Sequence, residues 1–213
     1  MMEEKKTRGI PIGWKYKTVQ FITNIILKIL YRVSYEGFEN IPMEGGVIVA
    51  ANHASMIDPP ALGARSPREL VYLAKKELFP IPVVRLLLKI SHSIPIDRAG
   101  YSKRTLKQVV ESLKEGWALV MFPEGTRTKT GEFGRPKKGI GMVAVMADVP
   151  VVPCWIEGSY KAKPFVSKIK LHFLPPIKPS EIGGETKKEH YLLVSEKIMY
   201  DIINLYKTHN GRA

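Results

Sequence analysis

Residues 46–60 read Gly46-Val-Ile-Val-Ala-Ala51-Asn-His53-Ala-Ser-Met-Ile-Asp58-Pro-Pro60, and this stretch decides the fold. Its first half is an unbroken run of small and β-branched apolar residues, which is typical of a strand buried on both faces. Such strands occur in α/β proteins, where helices cover both faces of a largely parallel sheet. Asp58 with two prolines behind it indicates that a helix begins directly after the loop.

The rest of the chain repeats this alternation of strands and helices. Further apolar runs predict strands over residues 70–74, 93–96, 117–122, 151–156 and 168–174, and helical patterns cover 59–64, 78–90, 102–114, 140–147 and 186–206. We therefore expect a single α/β domain over residues 37–213, with a mainly buried mixed sheet flanked by helices. Residues 1–36 are expected to form a separate N-terminal helical segment.

The composition is that of a globular protein with an unusual charge. The chain has 213 residues, of which 45% are hydrophobic, so a disordered protein is excluded. Its 33 Lys and Arg against 20 Asp and Glu give a net charge of +13, which requires an anionic partner such as nucleic acid or membrane lipid. A single cysteine, Cys154, excludes an internal disulfide.

The N-terminal segment has the pattern of a helix that lies on a membrane surface. Residues 1–33 carry seven Lys or Arg and two Glu, a net charge of +5, and no run is apolar for long enough to span a bilayer. An apolar stripe runs along one side of this helix, and a stripe that includes basic residues runs along the other, as in interfacial helices. The residues expected to contact the membrane are Trp14, Lys17, Phe21, Ile22, Ile25, Lys28 and Ile29. The alternative is a helix that packs its apolar face on its own domain.

A second apolar helix is predicted over residues 78–90. Arg85 and Lys89 are four residues apart on one face, and most of the other positions are large and aliphatic. The segment fits either a core helix or a second ridge that faces lipid.

His53 follows the first buried strand, at the end of a strand where α/β proteins bind ligands. A carboxylate five residues later, Asp58, is able to turn back and fix the tautomer of the imidazole, which leaves the other ring nitrogen as a general base. The structural alternative is that Asp58 caps the next helix and that His53 is a hydrogen-bonded core residue.

Cationic residues follow several other strands. Arg127 and Lys129 lie in a polar loop after the strand over 117–122, Lys75 or Lys76 after 70–74, and Arg98 after 93–96. Because parallel strands end at one edge of a sheet, these cations should converge there with His53 and suit a phosphate. No Cys or His pair has zinc-ligand spacing, and no strand is followed by Gly-x-Ser-x-Gly, so neither a metal nor a serine nucleophile is expected.

In these residues the chain resembles the glycerolipid acyltransferases. Four stretches match the family's motifs in order and spacing: Asn52-His53-x4-Asp58, Ile96-Asp-Arg98, Phe122-Pro-Glu-Gly-Thr-Arg127 and Val149-Pro-Val-Val-Pro153. Residues 74–79 and 135–139 support the match, which covers about residues 38–175. The pattern is most similar to that of the bacterial 1-acyl-glycerol-3-phosphate acyltransferases.

The resemblance implies a role for each motif. His53 would be the general base and Asp58 would orient it, while Pro153 with Val149 and Pro150 would shape the acyl-donor side. The residues that it implies for binding the substrate phosphate are Lys75, Arg98, Glu124, Gly125, Thr126 and Arg127. Transfer from an acyl thioester to the free hydroxyl of lysophosphatidic acid would give phosphatidic acid, with no bound cofactor and no metal.

The resemblance leaves the acyl donor open between acyl carrier protein and coenzyme A. Glycerol-3-phosphate or another lysophospholipid is an alternative acceptor, and a non-catalytic basic protein on the membrane is the alternative of another class. Because the lipids are membrane-resident, we expect a peripheral protein on the cytoplasmic face of the cell membrane. Nucleic acid is not expected, because aromatic and basic residues are not interleaved.

Overall fold

A computed structural model describes residues 12–97 and 102–211. Its strands are β1 (Ser34–Glu36), β2 (Val47–Ala51), β3 (Leu70–Lys75), β4 (Ile94–Ile96), β5 (Ala118–Met121), β6 (Val151–Glu157) and β7 (Lys170–Phe173). They form one sheet in the order β1-β7-β6-β2-β5-β3-β4. Only β6 and β7 run antiparallel among these strands, so the predicted mixed α/β sheet is confirmed.

Six α-helices accompany the sheet in the described residues: α1 (Trp14–Tyr31), α2 (Asp58–Gly63), α3 (Pro82–Ile90), α4 (Lys103–Lys114), α5 (Gly139–Ala147) and α6 (Lys187–Asn210). Side chains alternate across a strand, so β2 contributes to a core on each face of the sheet. Ile48 and Ala50 pack with residues of α4, α5 and α6, whereas Val47, Val49 and Ala51 pack with α1 and α2. All five residues of β2 are fully buried, which explains their unbroken apolar run.

The N-terminal boundary differs from the expectation. Residues 34–36 form β1, which pairs with β7 at the edge of the sheet, so they belong to the α/β domain. This strand has only three residues, two of them exposed, and no apolar run, so the sequence does not predict it. The N-terminal helix itself ends at Tyr31 and packs on α2. Strand β1 therefore belongs to the sheet of the domain, and α1 contacts the domain.

Helix α1 packs on the domain through its less apolar stripe. Tyr16 and Leu27 are buried, and the side-chain amide of Gln20 donates hydrogen bonds to the carbonyls of Gly63 and Ser66 at 2.8 and 2.9 Å. The seven residues expected to contact a membrane are all exposed: Trp14, Lys17, Phe21, Ile22, Ile25, Lys28 and Ile29. A helix usually turns its apolar face to the core, and here that face points to solvent. In the described residues no helix is long and apolar enough to span a bilayer.

Helix α3 is not a core helix. None of its nine residues is buried, and the aliphatic side chains of Val83, Leu86 and Leu87 are exposed. The core alternative for this segment is therefore wrong. Helix α3 contacts α1, so the two exposed apolar faces lie near each other.

Asn52 joins the ends of two central strands. Its buried side-chain amide donates to the carbonyl of Ile156 at 3.1 Å and accepts from the amide of the same residue at 2.7 Å. These bonds extend the pairing of β2 with β6 by one residue, and they are made by the side chain of Asn52 instead of its backbone. The loop that begins at His53 therefore starts from a fixed point.

We expect Asn52→Ala to lower the free energy of unfolding by about 2–4 kcal/mol, because it leaves both backbone groups of Ile156 buried without partners. Denaturant unfolding measures this change. Asn204→Ala, at an exposed position on α6, is the control and should change stability by less than about 0.5 kcal/mol. An equally small effect of Asn52→Ala would contradict the bridging role.

Candidate active site

His53 and Asp58 form a hydrogen-bonded pair at the end of β2. The Nδ1 atom of His53 lies 2.8 Å from Oδ2 of Asp58, and the aspartate is fully buried. The imidazole stacks on the ring of Phe122, with ring centroids 3.9 Å apart. Its side chain is 16% exposed, so one edge of the ring reaches solvent. With Nδ1 held by the carboxylate, Nε2 is the nitrogen left for an external proton.

The Asp58 carboxylate also organises the loop that carries His53. Its Oδ2 accepts hydrogen bonds from the backbone amides of Ala54 and Ser55, both at 2.7 Å. Asp58 is the first residue of α2, and Ile57 occupies the capping position, so the aspartate does not cap this helix through its side chain. The backbone amides of Ala54 and Ser55 are therefore engaged within the loop, and neither is free to donate to a substrate oxyanion.

Glu124 holds the two loops of the site together. It is buried, and its carboxylate accepts from the backbone amide of His53 at 2.9 Å and from that of Gly134 at 2.8 Å. The carbonyl of His53 in turn accepts from the amide of Thr128 at 2.8 Å. Both backbone groups of His53 are thus fixed by the loop that follows β5. The carboxylate of Glu124 is occupied by these amides, and a phosphate would be repelled by its charge.

The strand order brings the expected residues to one edge of the sheet. Strands β2, β5, β3 and β4 are parallel neighbours, so His53, the Glu124 loop and Lys75 follow one another along this edge. Neighbouring strands are about 4.8 Å apart, which places the end of β3 about 10 Å from that of β2. Arg98 lies outside the described residues. Lys76 pairs with Asp97 at 2.8 Å, whereas Lys75 is exposed.

Lys137, a cationic residue outside the set expected to bind phosphate, lies over Gly125. A Cβ atom on this glycine would lie 3.0 Å from Nζ of Lys137, so the lysine crosses the loop directly above it. Gly125 has a φ of +71°, which favours glycine independently of the contact. Thr126 and Arg127 are exposed beside it. The signal for Lys137 was the basic stretch over residues 135–138, which lies in the sequence just before α5.

The structure does not bring the residues expected on the acyl-donor side to His53. Val149 and Pro150 precede β6, which runs parallel to β2, so they lie at the opposite edge of the sheet from His53. Pro153 lies within β6, opposite Ala50, and its carbonyl accepts from the amide of Leu174. Val149 belongs to the core between the sheet and its helices. Their contribution to the acyl-donor side stays a prediction.

Cys154 is unsuited to form a covalent intermediate. It is fully buried in β6, and burial raises the pKa of its thiol well above the usual range, with a further contribution from the charge of Asp58. The thiol therefore stays protonated and out of reach of a substrate. The remaining candidate for chemistry at this edge is the imidazole of His53, which suits a general base.

Comparison with known proteins shows one family. A family model described as Acyltransferase matches residues 32–157, more than half of the chain. A 1-acyl-sn-glycerol-3-phosphate acyltransferase of Bacillus subtilis is 30% identical over 86% of this chain and 92% of its own length. The chloroplastic LPAT1 protein of Arabidopsis thaliana, with the same activity in its name, is 32% identical over 63% of this chain, which spans only 38% of that longer protein.

A solved structure shares the fold. The crystal structure of the 1-acyl-sn-glycerophosphate (LPA) acyltransferase PlsC from Thermotoga maritima has a TM-score of 0.73 and 31% sequence identity with this chain. The similarity covers 90% of this chain and 79% of that one.

We expect Glu124→Gln to lower the free energy of unfolding by about 1–3 kcal/mol, because an amide group accepts from one of the two backbone N–H groups and turns a donor toward the other. Denaturant unfolding measures the loss. Glu132→Gln, an exposed glutamate of the same loop, should change stability by less than about 0.5 kcal/mol. Equal effects of the two substitutions would contradict the role of Glu124 as a clamp.

Proposed function

The chain belongs to the acyltransferase family, and we propose that it transfers a fatty acyl group from an acyl thioester to the free hydroxyl of 1-acyl-glycerol-3-phosphate. The products are phosphatidic acid and a free thiol. The observation that carries this proposal is the pair formed by His53 and the buried Asp58, 2.8 Å apart, at the edge of the sheet that also carries Lys75 and the loop after β5. The names of the relatives support the choice of acceptor.

The reaction needs one group that moves a proton. Nε2 of His53 takes the proton from the acceptor hydroxyl while its oxygen attacks the thioester carbonyl. The tetrahedral intermediate then collapses, the C–S bond breaks, and the imidazolium returns the proton to the leaving sulfur. His53 ends in its starting state, and no acyl-enzyme forms.

Asp58 acts on the reaction through His53. Its carboxylate fixes the tautomer in which Nδ1 carries the proton and stabilises the imidazolium that forms during the transfer. It is buried, so water weakens this electrostatic interaction little. The stack on Phe122 restricts the ring further.

The substrate phosphate is proposed to bind over the loop after β5. Arg127 is exposed there beside Gly125 and Thr126, and Lys137 crosses Gly125, so cations and a close backbone approach occur together. Lys75, at the end of β3, is proposed to contribute to this site, and so is Arg98, which lies outside the described residues. Glu124 is proposed to position the loop, because its carboxylate is engaged by backbone amides.

The thioester is proposed to be carried by acyl carrier protein or coenzyme A. Both present the same reactive group, and the proposed chemistry proceeds with side chains of this protein alone. Assays with the two donors, each at several concentrations, decide between them. The donor with the higher kcat/KM is the preferred acyl donor.

We propose that the protein binds the cytoplasmic surface of the cell membrane through α1. Trp14, Phe21 and Ile29 are between 61 and 73% exposed, although burying such side chains is favourable by about 1.5–3 kcal/mol each. Lys17 and Lys28 flank this face and suit anionic headgroups. Helix α1 packs on α2, whose first residue is Asp58, so the apolar face lies on the same side of the sheet as the catalytic loop.

Two further apolar features extend this membrane face. Val83 and Leu86 of α3 are 71 and 59% exposed. Phe165 and Val166 are similarly exposed, and the amide of Phe165 donates to the carbonyl of Leu30 near the end of α1. Together with α1 they form a surface that is unusual for a protein surrounded by water.

We expect His53→Ala to lower the rate of acyl transfer by at least about 10²–10⁴-fold, because it removes the general base. Release of free thiol from acyl thioester, with lysophosphatidic acid in vesicles, measures the rate. Monoacylglycerol, which has the hydroxyl and lacks the phosphate, should be a poor acceptor.

His92→Ala serves as the control for this experiment, because His92 is exposed and lies before β4. Its rate should equal that of the unchanged protein. Unchanged turnover in His53→Ala would contradict the proposed mechanism, and preference for glycerol-3-phosphate or another lysophospholipid in an acceptor panel would assign a different acceptor. Vesicle binding without any thiol release would identify a non-catalytic membrane protein.

We expect Phe21→Ser and Ile29→Ser each to weaken binding to anionic vesicles about tenfold, since each removes an apolar side chain from the lipid-facing surface. Their stability should change by less than about 0.5 kcal/mol, because both residues are exposed. Co-sedimentation with vesicles measures binding. Leu192→Ser, at an exposed position of α6, is the matched control, and an equal effect there would contradict a specific membrane face.

A further inference from the structure

Three side chains with metal-binding groups meet at the opposite face of the sheet from His53. Glu157 ends β6, His172 lies in β7, and His209 lies in the last turn of α6. Trp155, next but one to Glu157 on the same face of β6, packs with the core under α6, whereas Cys154 and Ile156 pack on the side of α1 and α2. The cluster therefore has no part in the proposed acyl transfer.

The geometry of the cluster is close to that of a metal site. One ligand atom from each of Glu157, His172 and His209 lies within 4.8 Å of the others. Oε2 of Glu157 and Nε2 of His172 are 3.1 Å apart. Two ligands of a tetrahedral zinc ion, each about 2.0–2.1 Å from the metal, are separated by about 3.3 Å. Two of the three ligand atoms already have that separation, and His209 is exposed and able to turn toward them.

A second carboxylate orients the buried histidine. Nδ1 of His172 lies 3.1 Å from Oε2 of Glu36, so this nitrogen donates to a carboxylate while Nε2 points to Glu157. Metal-binding histidines generally have such a partner on the other ring nitrogen, which fixes the tautomer and raises the basicity of the ligand. Glu36 is itself held by Lys170.

The surroundings restrict the rings further. The imidazole of His172 stacks on the indole of Trp155 with ring centroids 4.8 Å apart and planes 15° apart, and the ring of His209 contacts both. His172 is 5% exposed. A ligand that is buried, oriented by a carboxylate and stacked on an aromatic ring loses little freedom when it binds a metal.

We propose that Glu157, His172 and His209 bind a divalent transition metal ion, with Glu36 orienting His172. Two imidazoles and one carboxylate are the ligand set of zinc sites that keep a fourth position for water. The bound ion would join the last turn of α6 to the antiparallel pair β6 and β7. Its effect would therefore be on the stability of the C-terminal helix.

Cobalt(II) is the probe for the test, because its visible absorption reports tetrahedral coordination and zinc displaces it. The full chain, purified without a polyhistidine tag and treated with a chelator, should bind one equivalent of cobalt with quenching of Trp155 fluorescence. Zinc at 100-fold excess over its dissociation constant should raise the Tm by about 5–10 °C.

His209→Ala removes an exposed ligand with little risk to folding, and we expect it to abolish both the cobalt spectrum and the zinc-dependent rise in Tm. Glu36→Gln should weaken metal binding by about 10–100-fold while the tetrahedral spectrum is kept, as for an orienting residue. His92→Ala is the control and should bind as the unchanged protein does. Equal cobalt binding in His209→Ala and the unchanged protein would overturn the proposal. So would the absence of a tetrahedral spectrum, which would show that His172 only pairs with the two carboxylates.

Discussion

The buried carboxylate of Asp58 is the constraint on which the site depends. Burying a carboxylate is costly unless hydrogen bonds offset its lost hydration, and Oδ2 of Asp58 makes three within a loop of only five residues, whereas Oδ1 has no partner among the described residues. The need to satisfy this charge folds residues 53–58 around one oxygen atom. The orientation of the His53 imidazole then follows from the same interaction. Ile57 of the same loop also packs against the core on the side of α1 and α2.

The hydrogen bonds of Glu124 make the loop after β2 and the loop after β5 depend on each other. Glu124 accepts from the amide of His53, and the amide of Thr128 donates to its carbonyl, so the loop after β5 fixes the residue after β2 from both sides. Asn52 ties the same point to β6. The parallel order of β2, β5 and β3 then brings the loop after β5 and Lys75 to the same edge of the sheet as His53.

Only one face of the amphipathic helix α1 packs on the domain. Its buried contacts come from Tyr16, Leu27 and the amide of Gln20, which is a small interface for a helix of 18 residues. The larger apolar face remains exposed. A domain gains nothing in water from this arrangement, since burying the apolar face would be favourable. The proposed contact of this face with a bilayer would account for both observations.

The sequence by itself determined the α/β class, the strand that precedes His53 and the pair that His53 forms with Asp58. Each depends on local pattern: an unbroken apolar run buries a strand on both faces, and a spacing of five residues closes a short loop. Strand β1 and the exposure of α3 were not predictable in this way, because they depend on which neighbours the sheet provides. Only the tertiary structure showed that Val149 and Pro150 lie far from His53, since a motif records order along the chain and not the edge of the sheet. The same reason hid the cluster of Glu157, His172 and His209: its residues are separated by 15 and 37 positions, and the pairing of β6 with β7 and the packing of α6 bring them together.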